Sequence, residues 1–183
     1  MNKLKLRHLI LKLLRSQKER DRTLKIRAIQ KKLFSTPEFK RAQTILFYAS
    51  FDGEVDTFEM MRKTLKLKKI VALPIVMRSS KKLIPTRINR LKYLQPGSYG
   101  IHEPFKAREN AVKLKDIDLV VVPAVAFDKK NHRLGRGAGY YDRFISALPK
   151  VTPTIGLAFD FQIVDRVPHL KPHDVPVSFV ITN

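Results

Sequence analysis

The chain reads as an α/β protein, a three-layer α/β/α sandwich around a mostly parallel, Rossmann-like sheet. Three observations predict it. Strand-like apolar segments alternate with helical periodicities along the 183 residues, the pattern of parallel strands joined by crossovers. One segment, residues 116–128, is apolar almost throughout, as a strand covered on both faces must be. A glycine-rich run follows it and leads into a helical stretch, and open α/β sheets bind ligands beyond the carboxyl ends of their strands. One domain spanning residues 1–183 is the economical reading at this length.

Two basic helices open the chain. Leu6, Leu9, Ile10, Leu13 and Leu14 fit one face of the first, and Ile26, Ile29 and Leu33 one face of the second. Residues 44–50 (TILFYAS) predict a strand, and Phe51-Asp52-Gly53-Glu54 a turn. Asp56 or Thr57 can cap the next helix, whose Phe58, Met61 and Leu65 share a face. Residues 69–76 form a strand interrupted by Pro74, and 83–88 an antiparallel or edge strand. Pro96-Gly97 and residues 99–104 read as loop. After the 116–128 strand come a helix from 140 to 148, a strand at 154–159, a short helix near 161–164 and a last strand at 178–182.

Composition narrows the function classes. With 37 Lys and Arg against 16 Asp and Glu, the formal charge is +21, which attracts polyanions such as nucleic acid, nucleotides or polyglutamylated metabolites. Fourteen of those cations lie in the first 41 residues, opposed by Glu19, Asp21 and Glu38; their helical spacing makes most of them the wet faces of two helices. Cysteine is absent, so disulfides, thiol nucleophiles and Cys-ligated metals are excluded. With neither a signal peptide nor a membrane-spanning run, a soluble cytoplasmic protein is expected.

The densest chemistry lies in Arg133-Leu134-Gly135-Arg136-Gly137-Ala138-Gly139-Tyr140-Tyr141-Asp142-Arg143. Gly135, Gly137 and Gly139 let successive N–H groups turn toward one anion at a helix N-terminus. Asp142 suits Mg²⁺ held against phosphates, and the arginines supply forked donors. The run matches neither a P-loop, which ends in Gly-Lys-Ser/Thr, nor a dinucleotide fingerprint, whose last glycine is displaced by Tyr140-Tyr141. A glycine-rich turn with solvated arginines is the competing reading, against which the company of Asp142 weighs.

Other candidates are thinner. Glu54 could accept two hydrogen bonds from a ligand or be an ordinary carboxylate near a helix start. Tyr140 and Tyr141 suit ring stacking or core packing. His169 and His173 stand four apart, but Pro168 and Pro172 break the helix a zinc motif needs, and His102-Glu103 add no ligand set. Asp174 could join Asp142 around Mg²⁺ or serve a turn. Ser50 lacks a nucleophile elbow.

Several segments together resemble the 5-formyltetrahydrofolate cyclo-ligase (5,10-methenyltetrahydrofolate synthetase) family over nearly the whole chain. They are Lys3-Leu4-Lys5-Leu6-Arg7, residues 48–57 (YASFDGEVDT), 100–104 (GIHEP), 122–128 (VPAVAFD) and, most specifically, the glycine run; residues 155–162 and His173-Asp174 agree more weakly. The resemblance implies ATP- and Mg²⁺-dependent closure of 5-formyltetrahydrofolate to 5,10-methenyltetrahydrofolate with release of ADP and phosphate.

It also implies site roles. Lys3, Leu4, Lys5, Leu6 and Arg7, with Arg133, Leu134, Gly135, Arg136, Gly137, Ala138, Gly139, Tyr140 and Tyr141, would hold ATP. Ala49, Glu54, Arg136, Gly137, Ala138, Gly139 and Tyr140 would bind the folate, with Glu54 and Arg136 catalytic, and Asp142 and Asp174 would hold Mg²⁺. Ala138 stands where some relatives carry lysine, and the missing tryptophan leaves Tyr99, Phe105 or Tyr140 for ring stacking. The partners implied are ATP and the folate, polyglutamylated forms included, for a monomer without specific nucleic-acid or membrane contacts. Two other classes compete: a nucleic-acid module on the basic helices, though its cations are dispersed and no reader motif accompanies them, and another nucleotide-dependent ligase or kinase on this scaffold.

Overall fold

A computed structural model describes residues 1–105, 109–170 and 174–183, so Pro172 and His173 lie outside the described residues. Three helices come first: α1 (Lys3–Arg15), α2 (Glu19–Ser35) and α3 (Pro37–Arg41). Asn2 caps α1 by accepting from the Lys5 N–H, and Thr36 caps α3 ahead of Pro37. Then follow β1 (Thr44–Leu46), α4 (Phe58–Lys66), β2 (Ile70–Met77), β3 (Lys82–Ile88), β4 (Leu94–Pro96) and β5 (His102–Pro104). The remainder is β6 (Leu119–Val122), β7 (Ala126–Asp128), β8 (Arg133–Leu134), α5 (Tyr140–Ala147), β9 (Thr154–Leu157), β10 (Ile163–Val164) and β11 (Phe179–Ile181).

Among the described residues the main sheet has six strands in the order β11-β9-β6-β1-β2-β3, parallel except for the antiparallel edge β3. Strand alternation sorts its apolar side chains to two faces. Ile45, Val71, Leu73, Leu119, Val121 and Ile155 meet Leu6, Ile10 and Leu14 of α1, Ile29 and Leu33 of α2 and Met60 and Met61 of α4. Leu46, Ala72, Val120 and Val122 face the other way, toward Phe127 and Phe144, Ile145 and Leu148 at α5. The expected α/β/α layering is therefore present, with most helices on one face.

Several local expectations change or narrow. Strand β2 runs unbroken through Pro74, and residues 163–164 are strand β10. Leu9 and Leu13 are exposed, because α1 is fully buried along its Leu6-Ile10-Leu14 row, with Leu11 packed beside it. Asp56, not Thr57, accepts from the Phe58 N–H at the start of α4; the Thr57 hydroxyl instead donates to the Tyr48 carbonyl. Residues 99–104, expected as loop, contribute β5, which pairs antiparallel with β4 and buries Glu103. The uninterrupted strand expected over 116–128 is two strands in different sheets. Pro123, with no N–H for a ladder, ends β6; the chain then enters a three-stranded sheet in which β7 pairs with β8 and β10.

That switch positions the glycine run. Asp128 closes the β7-β8 hairpin by accepting from the Lys130 and His132 N–H groups at 2.9 and 3.0 Å, and β8 delivers the chain directly to Gly135. The small sheet lies against the main one where Phe127 covers Gly156 of β9. A Cβ at Gly156 would overlap the Phe127 ring. Gly156→Ala should therefore lower unfolding stability by about 1–3 kcal/mol through overpacking, and the change should cost less in a Phe127→Leu background. Denaturant unfolding of the two single variants and the double variant measures both effects.

Candidate active site

The turn after β1 and the glycine run after β8 converge. Asp52 and Gly53 both have positive φ (52° and 82°), and the Glu54 N–H donates to the Phe51 carbonyl at 3.1 Å, the geometry of a tight Asp-Gly turn. Glycine at 53 is also required sterically, because a Cβ there would overlap the Leu14 carbonyl of α1. The turn sits on the end of α1, where Arg15 grips Asp52 in a bidentate pair, Nε to Oδ1 at 2.6 Å and Nη2 to Oδ2 at 2.8 Å.

Arg136 crosses from the glycine run to this turn. Its Nη1 donates to Asp52 Oδ2 at 2.9 Å, while Nε and Nη2 both donate to Glu54 Oε1 at 3.3 Å. Its guanidinium stacks 4.0 Å from the centre of the Phe51 ring. Glu54 is buried, and burial pushes its carboxyl up to about 7 against the opposing pull of Arg136. Asp52 is held down to about 2, chiefly by its hydrogen bond from Arg15. Buried Ala49 lies on the segment between β1 and the turn. Tyr48 and Tyr141 are also near Glu54; burial, reinforced by its charge, pushes both phenols up.

The glycine run continues past Arg136 with positive φ at Gly137 (118°) and Gly139 (68°), and Gly139 caps α5. Arg7 of α1 donates to the Gly135 carbonyl at 2.8 Å, so α1 contacts both loops. Buried Arg133 donates from Nη2 to Asp142 Oδ1 at 2.6 Å, leaving its Nε and the Tyr141 hydroxyl buried without a hydrogen-bond partner among the described residues. Buried donors of this kind can serve a ligand oxygen. Tyr140 turns outward to meet Tyr99 edge-on, at the tip between β4 and β5, with ring centres 6.5 Å apart.

Other candidates stand apart from this centre or fill other roles. Leu4 is exposed, whereas Leu6 and Leu134 are buried in the core and offer a ligand no side chain. Lys5 is exposed, and its N–H is already taken by the Asn2 cap. Lys3 pairs with Asp174 at 3.1 Å. Both candidate metal carboxylates thus carry a cation, and the described residues contain no cluster of three or more His, Cys, Asp or Glu able to cage a metal. That donor set still fits Mg²⁺ bound with phosphate, which needs one or two carboxylates and takes its other oxygens from water and the phosphates. Asp52, Arg15 and Phe51 were missed as site residues; the Asp-Gly signal fixed the turn but not what Asp52 would grip.

Glu54 makes stability depend on pH. Its folded-state value lies above the ordinary 4.5, so its stabilising contribution is fullest below pH 4.5 and is lost as pH rises through about 7. Glu54→Gln, neutral throughout, should gain on the unsubstituted chain across that window by about 2–3 kcal/mol and keep a constant advantage above it. Urea midpoints collected from acid to mildly alkaline pH give the test.

The chain is similar to known proteins along its whole length. The profile of the 5-formyltetrahydrofolate cyclo-ligase family matches residues 1–183. The 5-formyltetrahydrofolate cyclo-ligase of Escherichia coli K12 is 31% identical over 153 residues, covering 82% of this chain and 84% of that protein. The Haemophilus influenzae enzyme of the same name is 34% identical over 150 residues, covering 79% and 78%. Among solved structures, the Aquifex aeolicus 5,10-methenyltetrahydrofolate synthetase superposes with a TM-score of 0.85 at 31% identity, covering 99% of this chain and 89% of that one. The Mycoplasma pneumoniae 5,10-methenyltetrahydrofolate synthetase gives 0.80 at 28% identity, covering 100% and 99%. A profile match across its whole length, on a fold shared with these enzymes, makes this chain a member of the 5-formyltetrahydrofolate cyclo-ligase family.

Proposed function

We propose that this member of the family closes 5-formyltetrahydrofolate to 5,10-methenyltetrahydrofolate at the expense of ATP, releasing ADP and phosphate. The observation that carries the reading is the meeting of the glycine run with a buried carboxylate, Arg136 against Glu54. One side offers backbone N–H groups and guanidinium forks for phosphates; the other offers a carboxyl able to gain or lose a proton near neutrality.

In the reaction the formyl oxygen attacks the γ-phosphorus and ADP departs. N10 then attacks the activated carbon, loses its proton, and the former formyl oxygen leaves as phosphate. Arg7, Arg133 and the glycine-run backbone would hold the triphosphate, with Lys3 beside them on α1. Arg136 would span phosphate and folate, and Glu54, with Ala49 and Tyr140 beside the folate, would receive the N10 proton. Positioning and charge neutralisation are most of what such phosphoryl transfer asks of a protein. Mg²⁺, bound through Asp142 and Asp174, would neutralise charge on the phosphate oxygens. Arg133 contacts Asp142 at Oδ1 and Lys3 contacts Asp174 at Oδ2, so each carboxylate would serve the metal beside a cation.

Lys3, Arg7 and Arg15 of α1 contact Asp174, Gly135 and Asp52, so these cations face the two loops of the site. Among the described residues, no helix is long and apolar enough to cross a membrane.

Purified protein mixed with 5-formyltetrahydrofolate and Mg²⁺ should form the near-ultraviolet-absorbing methenyl product only when ATP is added; ATP-independent product, or none from folded protein, would overturn the reading. Asp142→Asn keeps an acceptor for Arg133 and should leave the fold intact while raising the Mg²⁺ concentration needed for half-maximal rate. Glu54→Ala should lower kcat/KM for the folate at least about tenfold, or about 1.4 kcal/mol of transition-state stabilisation, with little change in nucleotide affinity.

A further inference from the structure

Arg136 is shared unequally between two carboxylates. Charge-assisted N–H···O contacts of full strength run about 2.7–2.9 Å. Asp52 receives three in that range or shorter, two from Arg15 and one from Arg136. From the described residues Glu54 receives only long ones: two Arg136 donors at 3.3 Å on the same oxygen, and the Phe51 N–H at 3.4 Å on the other. The better buried acid is the more weakly satisfied one.

This allocation follows from the turn. Asp52 is drawn toward α1 by Arg15, and Arg136, lying over the Phe51 ring, must follow Asp52 to keep its short contact. We infer that Asp52 is a positioning residue for this site: by holding Arg136 to itself it keeps the Glu54 carboxyl loosely engaged and ready to exchange its long contacts for hydrogen bonds to the N–H groups of a folate. The inference rests on the proposed role of Glu54.

The other groups facing Glu54 do not supply this effect. Arg22 of α2 donates to the Glu54 backbone carbonyl, not to the carboxyl. The Tyr48 hydroxyl is committed to the Val55 carbonyl, and Asp56 to Ser50 and the Phe58 N–H. Tyr141 approaches from α5, where Arg133 faces it. Among the described residues, Arg136 alone donates to both Asp52 and Glu54, so that one carboxylate's gain is the other's loss.

Asp52→Asn tests this. Without the competing carboxylate, Arg136 should settle on Glu54. In protein labelled with carboxyl-¹³C glutamate, with the Glu54 signal assigned from Glu54→Gln, the Glu54 midpoint should fall by roughly half a pH unit or more, and KM for 5-formyltetrahydrofolate should rise severalfold with a smaller change in kcat. Arg15→Gln loosens the turn from α1 but keeps the Asp52 carboxylate, so its Glu54 midpoint should not fall. The Asp52 charge itself also raises Glu54, so the same change is read in an Arg136→Gln background, where only that charge is lost and the fall should be smaller. An unmoved midpoint in Asp52→Asn, an equal fall in Arg15→Gln, or equal falls with and without Arg136 would reduce Asp52 to a fastener of the turn and overturn the inference. The NMR midpoint requires no turnover, so failure of the proposed reaction and failure of the Asp52 role are read separately.

Discussion

The packing of α1 against the sheet is the constraint on which the site depends. Leu6, Ile10 and Leu14 bury one row of the helix in the core, each worth about 1.5–3 kcal/mol when removed from water. That row fixes the helix rotation, and the rotation aims the cations beside it. Arg7 reaches the Gly135 carbonyl and Arg15 reaches Asp52, so two loops far apart in sequence are tied to one rigid element. Exposed ion pairs alone would be too weak for this task, typically contributing under about 1 kcal/mol. Here they orient loops that apolar burial has already brought close.

Charge at the site is balanced internally. Arg133 is paired with Asp142, Lys3 with Asp174, and Arg136 with Asp52 and Glu54. A buried guanidinium without a partner would carry a large desolvation cost, so the described arrangement avoids leaving any of these cations wholly unpaired. An entering anion would therefore exchange partners rather than fill a bare cationic pocket. Exchange favours ligands that offer oxygens in the right geometry over polyanions that offer only charge, which is how a chain of +21 can be selective despite a field that attracts every polyanion.

The layered fold was legible because its signals are local and periodic: apolar segments spaced by helical patterns, and a glycine run after a strand. The Asp-Gly turn was legible for the same reason, since positive φ leaves a mark in residue type. The split at Pro123 was less so. Residues 116–128 are buried on both sides of the break, and hydrophobicity reports burial without saying which sheet provides it. Leu9 and Leu13 were misplaced because periodicity gives a face but not the width of the contact. Within the site, Glu54 and Arg136 came from resemblance to a family, whereas Asp52 did not, because its partner Arg15 lies 37 residues away and no spacing rule links them.

The unequal division of Arg136 is what joins these points. A buried carboxylate with a full bidentate guanidinium would be fixed and charged, a structural ion pair with nothing left to offer a ligand. A buried carboxylate with no cation nearby would remain neutral far above physiological pH. Glu54 sits between these limits, with long contacts to Arg136 and a proton affinity near neutrality. Its contacts are set by the Asp52 carboxylate, which holds Arg136 to itself. The helix that carries the core row also carries Arg15, the partner that fastens the Asp52 turn beside Glu54, so packing and site geometry meet in the same thirteen residues.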